Sequence, residues 1–429
     1  MNIYDDLTWR GLINQTSDDA ALRAHLATPG RGMYCGFDPT ASSLHIGNLV
    51  PLLALFRMQR AGHAPVVLLG GATGLIGDPS GKDKERQLKT AEEVAASAEM
   101  IRQQVMPLFR LDGDAACKVR VVNNHDWLGK LSAIELLRDV GKHFTINYML
   151  AKDSVKGRIN REETGISYTE FSYMILQAYD FYHLASQEGV SLQIGGSDQF
   201  GNITAGLELI RRKLAGKECF ALTFPLITTA SGAKFGKSEK GAIWLDPTRT
   251  SPYAFYQYWV NADDRDVINY LKYFTFLSEN EIVVLERELA ASPHLRAAQK
   301  TLAGQVTEMI HGATEADKVV KVNEFLFGNA DLHNVDPLTL LAAGRDAPNK
   351  AYPRPEDVPA LPDLLVELNL APSKSQAKKD IKAGGIYINN RRIADETFKP
   401  APGDFIGGMV MLVRRGKKNY AVVSWQKPN

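Results

Sequence analysis

Four short clusters in this 429-residue chain carry side chains suited to chemistry. The first is Thr40, His45 and Asn48 around Gly47, inside the stretch GMYCGFDPTASSLHIGNL. Leu49, Leu52, Leu53 and Phe56 follow at helical spacing, which predicts a helix whose first turn holds His45, Gly47 and Asn48. A helix N-terminus offers unpaired N–H groups and a positive dipole end to anions. Gly47 leaves room for a ligand against the backbone. His45 and Asn48 can both donate toward one point, which suits a nucleoside triphosphate held without a Walker loop. The same residues equally describe a capped helix with an incidental histidine.

The second cluster lies on a predicted helix from Glu170 to Leu184. Tyr173, Gln177 and Asp180 share one face that lacks Lys and Arg, while Met174, Ile175, Ala178 and Phe181 take the apolar side. Burying a phenol, an amide and a carboxylate is costly unless a partner satisfies them, and a polar ligand with an aromatic body would do so. A half-exposed helix with a polar side is the alternative. The third cluster is GGSDQFGN, where Asp198 is suited to a ribose diol or to a plain Gly-Asp turn. The fourth is SGAKFGKS, where a Gly-containing loop sets Lys234 and Lys237 to offset charge on phosphates. Lys82, Lys84 and Arg86, after Asp78, form another basic cluster. Both basic clusters also fit a solvated loop.

Strands are predicted at Met33–Phe37, Ala64–Gly70, Val119–Asn123, Leu192–Gly195 and Leu222–Ile227. Helices are predicted at residues 90–110, Leu131–Gly141, Glu170–Leu184 and Ile203–Leu214. The first strand, helix and strand form a βαβ unit, which implies a right-handed crossover and an α/β fold with a doubly wound parallel sheet. Each polar cluster follows the C-terminal end of a strand, where such sheets bind ligands. Gly71, Gly74 and Gly77 permit close approach but do not make a GxGxxG fingerprint. Residues 1–31 read as short helices and 143–164 as an insertion or subunit contact. Residues 251–328 read as helical. Five prolines between Asp331 and Ala360 suggest a linker. From Leu361 a compact domain resumes, with two helices, a hairpin turning at Asn389–Asn390 and two apolar strands.

The 45% hydrophobic and 23% charged fractions describe a soluble globular protein of two or three domains. No apolar run approaches the roughly 18 residues of a spanning helix, and the acidic N-terminal MNIYDDLTWRGL predicts no signal peptide. Cys35, Cys117 and Cys219 have no paired spacing, which argues for a reducing cytoplasm and against a disulfide scaffold or a zinc site. Net charge is +1, yet residues 361–429 hold 12 Lys and Arg against 6 Asp and Glu. A basic tail on a slightly acidic body suggests a polyanionic partner.

HIGN at 45–48 is similar to the HIGH signature of class I aminoacyl-tRNA synthetases, and KFGKS at 234–238 to their KMSKS signature. YCGFDPT, GGATGLIGDPSGK, FSYMILQAYD, LQIGGSDQ and WLDP are similar to tyrosyl-specific blocks, a combination that tryptophanyl relatives lack. Over nearly its whole length the chain resembles the bacterial tyrosyl-tRNA synthetases. Its tail resembles an RNA-binding domain of a ribosomal small-subunit protein. The resemblance implies a Rossmann-like catalytic domain at 1–246 with an inserted subunit-contact region near 120–170. It implies a helical anticodon-side domain at 247–330, a linker at 331–360 and a small α+β RNA-binding domain at 361–429.

Carried over by position, Tyr34 and Asp180 would hold the phenol of substrate tyrosine, and Asp78, Tyr173 and Gln177 its ammonium, with Gln193 nearby. Cys35, Gly36, Asp38, Gly47, Gly196 and Asp198 would line the ATP side. Thr40, His45, Asn48, Lys82, Arg86, Lys234, Lys237 and Ser238 would stabilise the leaving pyrophosphate. Lys374, Lys378, Lys379, Lys382, Arg391, Arg392, Arg414, Arg415, Lys417 and Lys418 would meet tRNA phosphates. Asn48 replaces the second His of the first signature but keeps a donor. Phe235 and Gly236 replace Met and Ser, and Phe200 stands where a Trp is frequent, removing an indole N–H. The implied enzyme is a cytoplasmic homodimer without membrane association. It takes L-tyrosine, ATP with Mg2+ and tRNA(Tyr), and no tightly bound protein-ligated metal is expected. A non-catalytic RNA-binding protein on the same scaffold would have no reason to keep His45, Lys234 and Lys237. A tryptophan enzyme would not need Tyr34 and Asp180, nor a small nucleotidylyltransferase the basic tail.

Overall fold

The computed structural model of the chain describes residues 2–80, 88–110, 118–152, 155–156, 165–230, 232, 235–238, 241–327, 335–344, 347–416 and 419–425. The chain divides into two units, Met1–Asp246 with Asp263–Ala298, and Pro247–Ala262 with Gln299–Asn429. No helix among the described residues is long and apolar enough to cross a membrane.

The first unit is built on β1 (Gln15–Thr16), β2 (Gly32–Phe37), β3 (Ala64–Leu69), β4 (Arg120–Asn123), β5 (Val190–Gly196) and β6 (Phe220–Phe224). Their order is β1-β6-β5-β2-β3-β4, with only β1 antiparallel to its neighbour. Strands β2 and β3 are continuous apolar runs because helices cover both faces of the sheet. Chain order reverses between β2 and β5, so a crevice opens beyond their C-terminal ends. The sequence predicts only helices over 1–31 and misses β1, since two polar residues at an edge carry no periodicity. Strand β6 stops before Pro225, which has no N–H to continue the ladder.

The helix Leu49–Arg60 follows β2 and the helix Tyr168–Gln187 precedes β5. The latter, 20 residues long, starts earlier than predicted because the Ser167 side chain caps Glu170 N–H. Its Phe181, Leu184 and Ala185 pack with Tyr34, Val66, Leu68 and Ile210 into one buried cluster. A Cβ on Gly206 would sit 2.9 Å from the Phe181 ring, so only glycine lets the helix Phe200–Lys213 approach this closely. The predicted helix Leu131–Gly141 is instead one α-turn, Ala133–Glu135, running into a π-helical turn, Leu136–Val140. Residues 90–110 give a helix only over Ala91–Val105, ahead of Pro107. Beyond β6 come the short strands β7 (Lys237–Ser238) and β8 (Gly241–Ala242).

Helices Val267–Phe274 and Glu279–Ala291 belong to this first unit rather than to a separate helical domain at 247–330. The second unit gathers helices Pro252–Val260, Ala313–Phe327 and Pro337–Gly344 with a five-stranded sheet. Its strands are β9 (Asn349–Tyr352), β10 (Ile386–Ile388), β11 (Arg391–Ile393), β12 (Val410–Arg415) and β13 (Asn419–Trp425), ordered β11-β10-β12-β13-β9. The hairpin turns at Asn389 and Asn390, with φ of 47° and 63°, the left-handed pair that suits a two-residue hairpin. The stretch 331–360 is not a plain linker. It contains the helix Pro337–Gly344 and β9, which lies parallel to β13. Proline density signals a linker only where no partner takes up the backbone, and here β13 does.

A truncation after residue 360 removes the sole partner strand of β9. We expect that truncation to melt at a lower temperature than one ending at residue 327, as thermal unfolding of the two shortened chains will show.

Candidate active site

At the end of β2 the chain turns through Asp38, Pro39 and Thr40, and a 3-10 turn, Ile46–Asn48, leads into the helix Leu49–Arg60. His45 caps that turn rather than lying within it. Its Nδ1 accepts the Gly47 N–H at 3.0 Å, and Asn48 Oδ1 accepts the His45 N–H at 3.1 Å. Since Nδ1 is an acceptor, the neutral ring carries its proton on Nε2. His45 Nε2–H and the Asn48 amide are the donor groups of this turn whose chemistry suits a phosphate. The structure gives Gly47 a different reason from room for a ligand, because a Cβ there would lie 2.8 Å from the His45 ring. A short ladder fixes this turn to the segment after β8. Ile46 N–H donates to Ile243 O at 3.0 Å and Leu245 N–H to Leu44 O at 2.9 Å. The Trp244 ring stands edge-on to His45 with centroids 6.0 Å apart.

Beside this turn a pocket is bounded by β2, β5 and the helix Tyr168–Gln187. Tyr34 and Gln193 are paired neighbours on β2 and β5. Both are buried, and neither the Tyr34 hydroxyl nor Gln193 Oε1 has a hydrogen-bond partner among the described residues. Asp180 is buried nearby and accepts from Trp127 Nε1 at 2.7 Å and Asn124 Nδ2 at 2.9 Å. Burial pushes its carboxyl up to about 7 against the pull of those two donors. Burial also raises the Tyr34 and Tyr173 phenols well above their ordinary range, so both stay protonated.

The donors to Asp180 are themselves held. Asn124 Oδ1 accepts Ala72 N–H at 2.8 Å, and its Nδ2 also reaches Thr73 Oγ1 at 2.9 Å. Thr73 donates to Asp38 Oδ1 at 2.7 Å and Tyr173 donates to Asp38 Oδ2 at 2.8 Å. The Trp127 ring stacks on His183, 4.4 Å away and 15° from parallel. On the other side, Gln199 donates to Asp78 at 2.7 Å, Gln177 to Gln199 at 3.3 Å and Asn202 to Gln177 at 3.0 Å. Tyr173, Gln177 and Asp180 thus do share one lining face, and Asp78 joins them. Asp38, expected on the ATP side, spends both carboxylate oxygens on Tyr173 and Thr73.

Cys35 and Gly36 lie in the second half of β2, Gly196 ends β5, and Asp198 sits in the 3-10 turn Ser197–Gln199 that follows. Burial pushes the Cys35 thiol up to about 12, so it stays an uncharged neighbour rather than a nucleophile. Phe200 opens the helix Phe200–Lys213. Lys82, Arg86, Lys234, Lys417 and Lys418 lie outside the described residues, as do the side chains of Lys237 and Ser238. Thr73, Asn124, Trp127, Gln199 and Asn202 were given no role by sequence. The available signal was that Asn124 directly follows β4 and that Gln199 and Asn202 fall within GGSDQFGN.

In the second unit, Lys378, Lys379 and Lys382 are exposed on the helix Lys374–Lys382, where Lys374 pairs with Asp363 and Lys382 with Glu396. Arg391 pairs with Asp404 at 3.0 Å, and Arg392 donates to Ala383 O at 3.1 Å. Arg414 lies over the Tyr387 ring at 4.6 Å. Arg415 spends its guanidinium on Asp380 and Leu370 O, both at 2.8 Å, so it stitches the tail fold together.

A doubly wound sheet whose switch-point crevice meets a capped HIGN turn, with the short strand Lys237–Ser238 beyond the last parallel strand, is the architecture of the class I tRNA synthetases. The family model for that class (W and Y) matches residues 30–328, and the model of the tyrosine–tRNA ligase SYY-like C-terminal domain matches 343–423. The tyrosine–tRNA ligase of Geobacillus kaustophilus is 51% identical over 427 residues, spanning 99% of this chain and 100% of its own. Tyrosine–tRNA ligase 1 of Bacillus cereus is 48% identical over 425 residues, with the same two shares. A C-terminally truncated mitochondrial tyrosyl-tRNA synthetase of Aspergillus nidulans superposes with a TM-score of 0.68 at 32% identity, covering 76% of this chain and 94% of that one. The chain belongs to the tyrosine–tRNA ligases of class I.

The Asp180 carboxyl links stability to pH. Its folded pKa of about 7 lies above the ordinary 3.8. The native state therefore binds the extra proton, and the stability this gives is full below about pH 4 and lost as pH rises through about 7. We expect Asp180→Asn to remove that part of the pH dependence in denaturant melts of the ligand-free protein, while Trp127→Phe, which deletes one donor, moves it to higher pH.

Proposed function

We propose that the chain activates L-tyrosine with ATP and transfers it to the 3′ end of tRNA(Tyr), with the buried Tyr34–Asp180 pair reading the substrate phenol. The observation that carries this reading is the Tyr34 hydroxyl, buried without a partner beside a buried carboxyl. A phenolic O–H inserted there accepts from Tyr34 and donates to Asp180, satisfying both. Phenylalanine leaves the Tyr34 hydroxyl unpaired and withholds from Asp180 a donor beyond Trp127 and Asn124, at a cost of about 1–3 kcal/mol for an unsatisfied buried group. The network of Asp78, Tyr173 and Gln177 receives the ammonium group, and Gln193 Oε1 offers a further acceptor.

In the first step a tyrosine carboxylate oxygen attacks the α-phosphorus of ATP. The bond to the β-phosphate oxygen breaks and pyrophosphate leaves. In the second, a hydroxyl of the terminal tRNA ribose attacks the carbonyl of tyrosyl-adenylate and AMP leaves. The carboxylate is a nucleophile at pH 7 already, so the first step needs no general base. His45 Nε2–H, Thr40, the Asn48 amide and the cations Lys82, Arg86, Lys234 and Lys237 hold the departing phosphates, which is catalysis by position and charge. Mg2+ arrives with ATP. There it is held by triphosphate oxygens and water.

The basic tail binds tRNA phosphates, with the exposed Lys378 and Lys379 foremost. The protein works as a homodimer, supported by the exposed apolar side chains Ile134, Leu137, Ile146 and Tyr168 within the 120–170 region. It acts in the cytoplasm, where the free thiols Cys35 and Cys219 stay reduced.

Amino-acid-dependent ATP–pyrophosphate exchange tests the reading. Exchange with tyrosine and not with phenylalanine or tryptophan is expected, and no exchange with tyrosine would overturn it. Asp180→Asn should weaken tyrosine binding roughly ten- to a hundredfold and narrow the margin over phenylalanine. Thr40→Ala or His45→Ala should slow activation by about 10²–10³ with little change in tyrosine affinity, as stopped-flow measurement of adenylate formation will show.

A further inference from the structure

Of the two residues between the signature lysines, Phe235 carries the side chain, and it is buried rather than exposed. Phe235 lies parallel to Phe274, with centroids 5.3 Å apart and planes 10° from parallel, and meets Tyr270 at 5.3 Å and 61°. Both partners sit on the helix Val267–Phe274, at a distance in sequence where no local pattern would find them. The carbonyl end of that helix is gripped by two buried guanidinium groups. Arg57 Nη2 donates to Lys272 O, Tyr273 O and Thr275 O at 3.4, 3.3 and 2.5 Å. Arg10 Nη1 donates to Lys272 O and Thr275 O at 3.0 and 3.3 Å, and its Nη2 to Leu277 O at 2.9 Å. A cation at a helix C-terminus is favourable in itself, and Asp6 bonds Arg10 at 2.9 Å.

Arg57 stands on the helix that the HIGN turn begins, so the contacts close a ring. Gly236, next to Phe235, has φ of +82°, and its carbonyl accepts Ile243 N–H at 3.1 Å. A Cβ on Gly236 would lie 3.3 Å from Ile46 Cγ1 and 3.5 Å from Gly47 N, so its backbone touches the HIGN turn. From that turn the path runs along the helix to Arg57, across to the helix Val267–Phe274, through Phe274 and Tyr270 to Phe235, and back to the turn.

We propose that Phe235 is a positioning residue for pyrophosphate departure: its ring, seated on Tyr270 and Phe274, fixes the backbone that runs through Gly236 to Lys237 against the HIGN turn. This rests on the reading that Lys237 acts on the leaving phosphates. A flat ring fills the slot between two other rings, where a shorter or rounder side chain leaves the lysine backbone free to shift. Misplacing a charged group by about 1 Å is enough to cost on the order of a hundredfold in rate.

The test is a double-mutant cycle of Phe235→Ala and Lys237→Ala in single-turnover adenylate formation, with tyrosine affinity measured in parallel. We expect Phe235→Ala to slow activation roughly 10–100-fold, to leave tyrosine affinity within about twofold, and to add less than about threefold once Lys237 is gone. Phe235→Leu, which keeps the apolar contact, should recover part of the rate and supplies the cycle if the alanine variant does not fold. Additive losses in a slow Lys237→Ala background would overturn the anchor and leave the role of Lys237 standing. An unchanged rate for Lys237→Ala alone would overturn both.

Discussion

A carboxyl group taken out of water loses hydration that neutral donors replace only in part. Asp180 accepts from two such donors, and its pKa near 7 records the shortfall. Much of the pocket follows from that one burial. Each donor must be fixed to be of use, so Asn124 is tied to Ala72 and Thr73, and Thr73 to Asp38, which Tyr173 also holds. Trp127 is fixed by its stack on His183. A lysine or arginine beside Asp180 would have kept it ionised, but would also have occupied the oxygens that a phenol has to reach. Neutral, directional donors leave the carboxyl unsatisfied along one direction, and the unpartnered Tyr34 hydroxyl supplies the other half of a recognition site for an O–H group.

The crevice joins two environments with opposite electrostatic needs. On one side, the proposed recognition of tyrosine draws on uncharged amides, phenols and buried carboxyls. On the other, the proposed phosphate chemistry draws on a helix start and His45. The doubly wound sheet brings both to the same end because chain order reverses between β2 and β5. Strand β2 serves both, with Tyr34 facing the first environment and the turn after Phe37 opening the second.

How much of this was legible depended on how local each signal is. Strands β2 and β3 announce themselves as apolar runs because both faces are buried. The helix Tyr168–Gln187 shows both its apolar side and the Tyr173–Gln177–Asp180 face, since spacings of three and four residues are local. Asn124 and Thr73 carry no such pattern. They are single polar residues after strands, and partners of theirs lie 35, 51 and 56 residues away in sequence. Arg10 and Arg57 bind backbone carbonyls more than 200 residues distant, and a carbonyl acceptor leaves no mark in the sequence. Strand β9 is hidden for a related reason, because the flanking Pro348 and Pro353 are visible locally while β13, which pairs with it, is the last strand described. The sequence puts His45 inside the helix's first turn, whereas it caps that turn from outside, and the need for Gly47 appears only once the His45 ring is seen folded over it.

The division of the chain also bears on how it is made. Both units are discontinuous in sequence, so each contains a segment that emerges from the ribosome out of turn. The helix Pro252–Val260 carries the buried Phe255, Tyr256 and Trp259, and its companions include His311 and Asn323. Between its synthesis and theirs the nascent chain must first deliver 263–298, which completes the other unit. For that interval an aromatic helix has no surface to cover it. It is the point in biogenesis where this chain is most open to non-native association, and where shielding by a chaperone has most to protect.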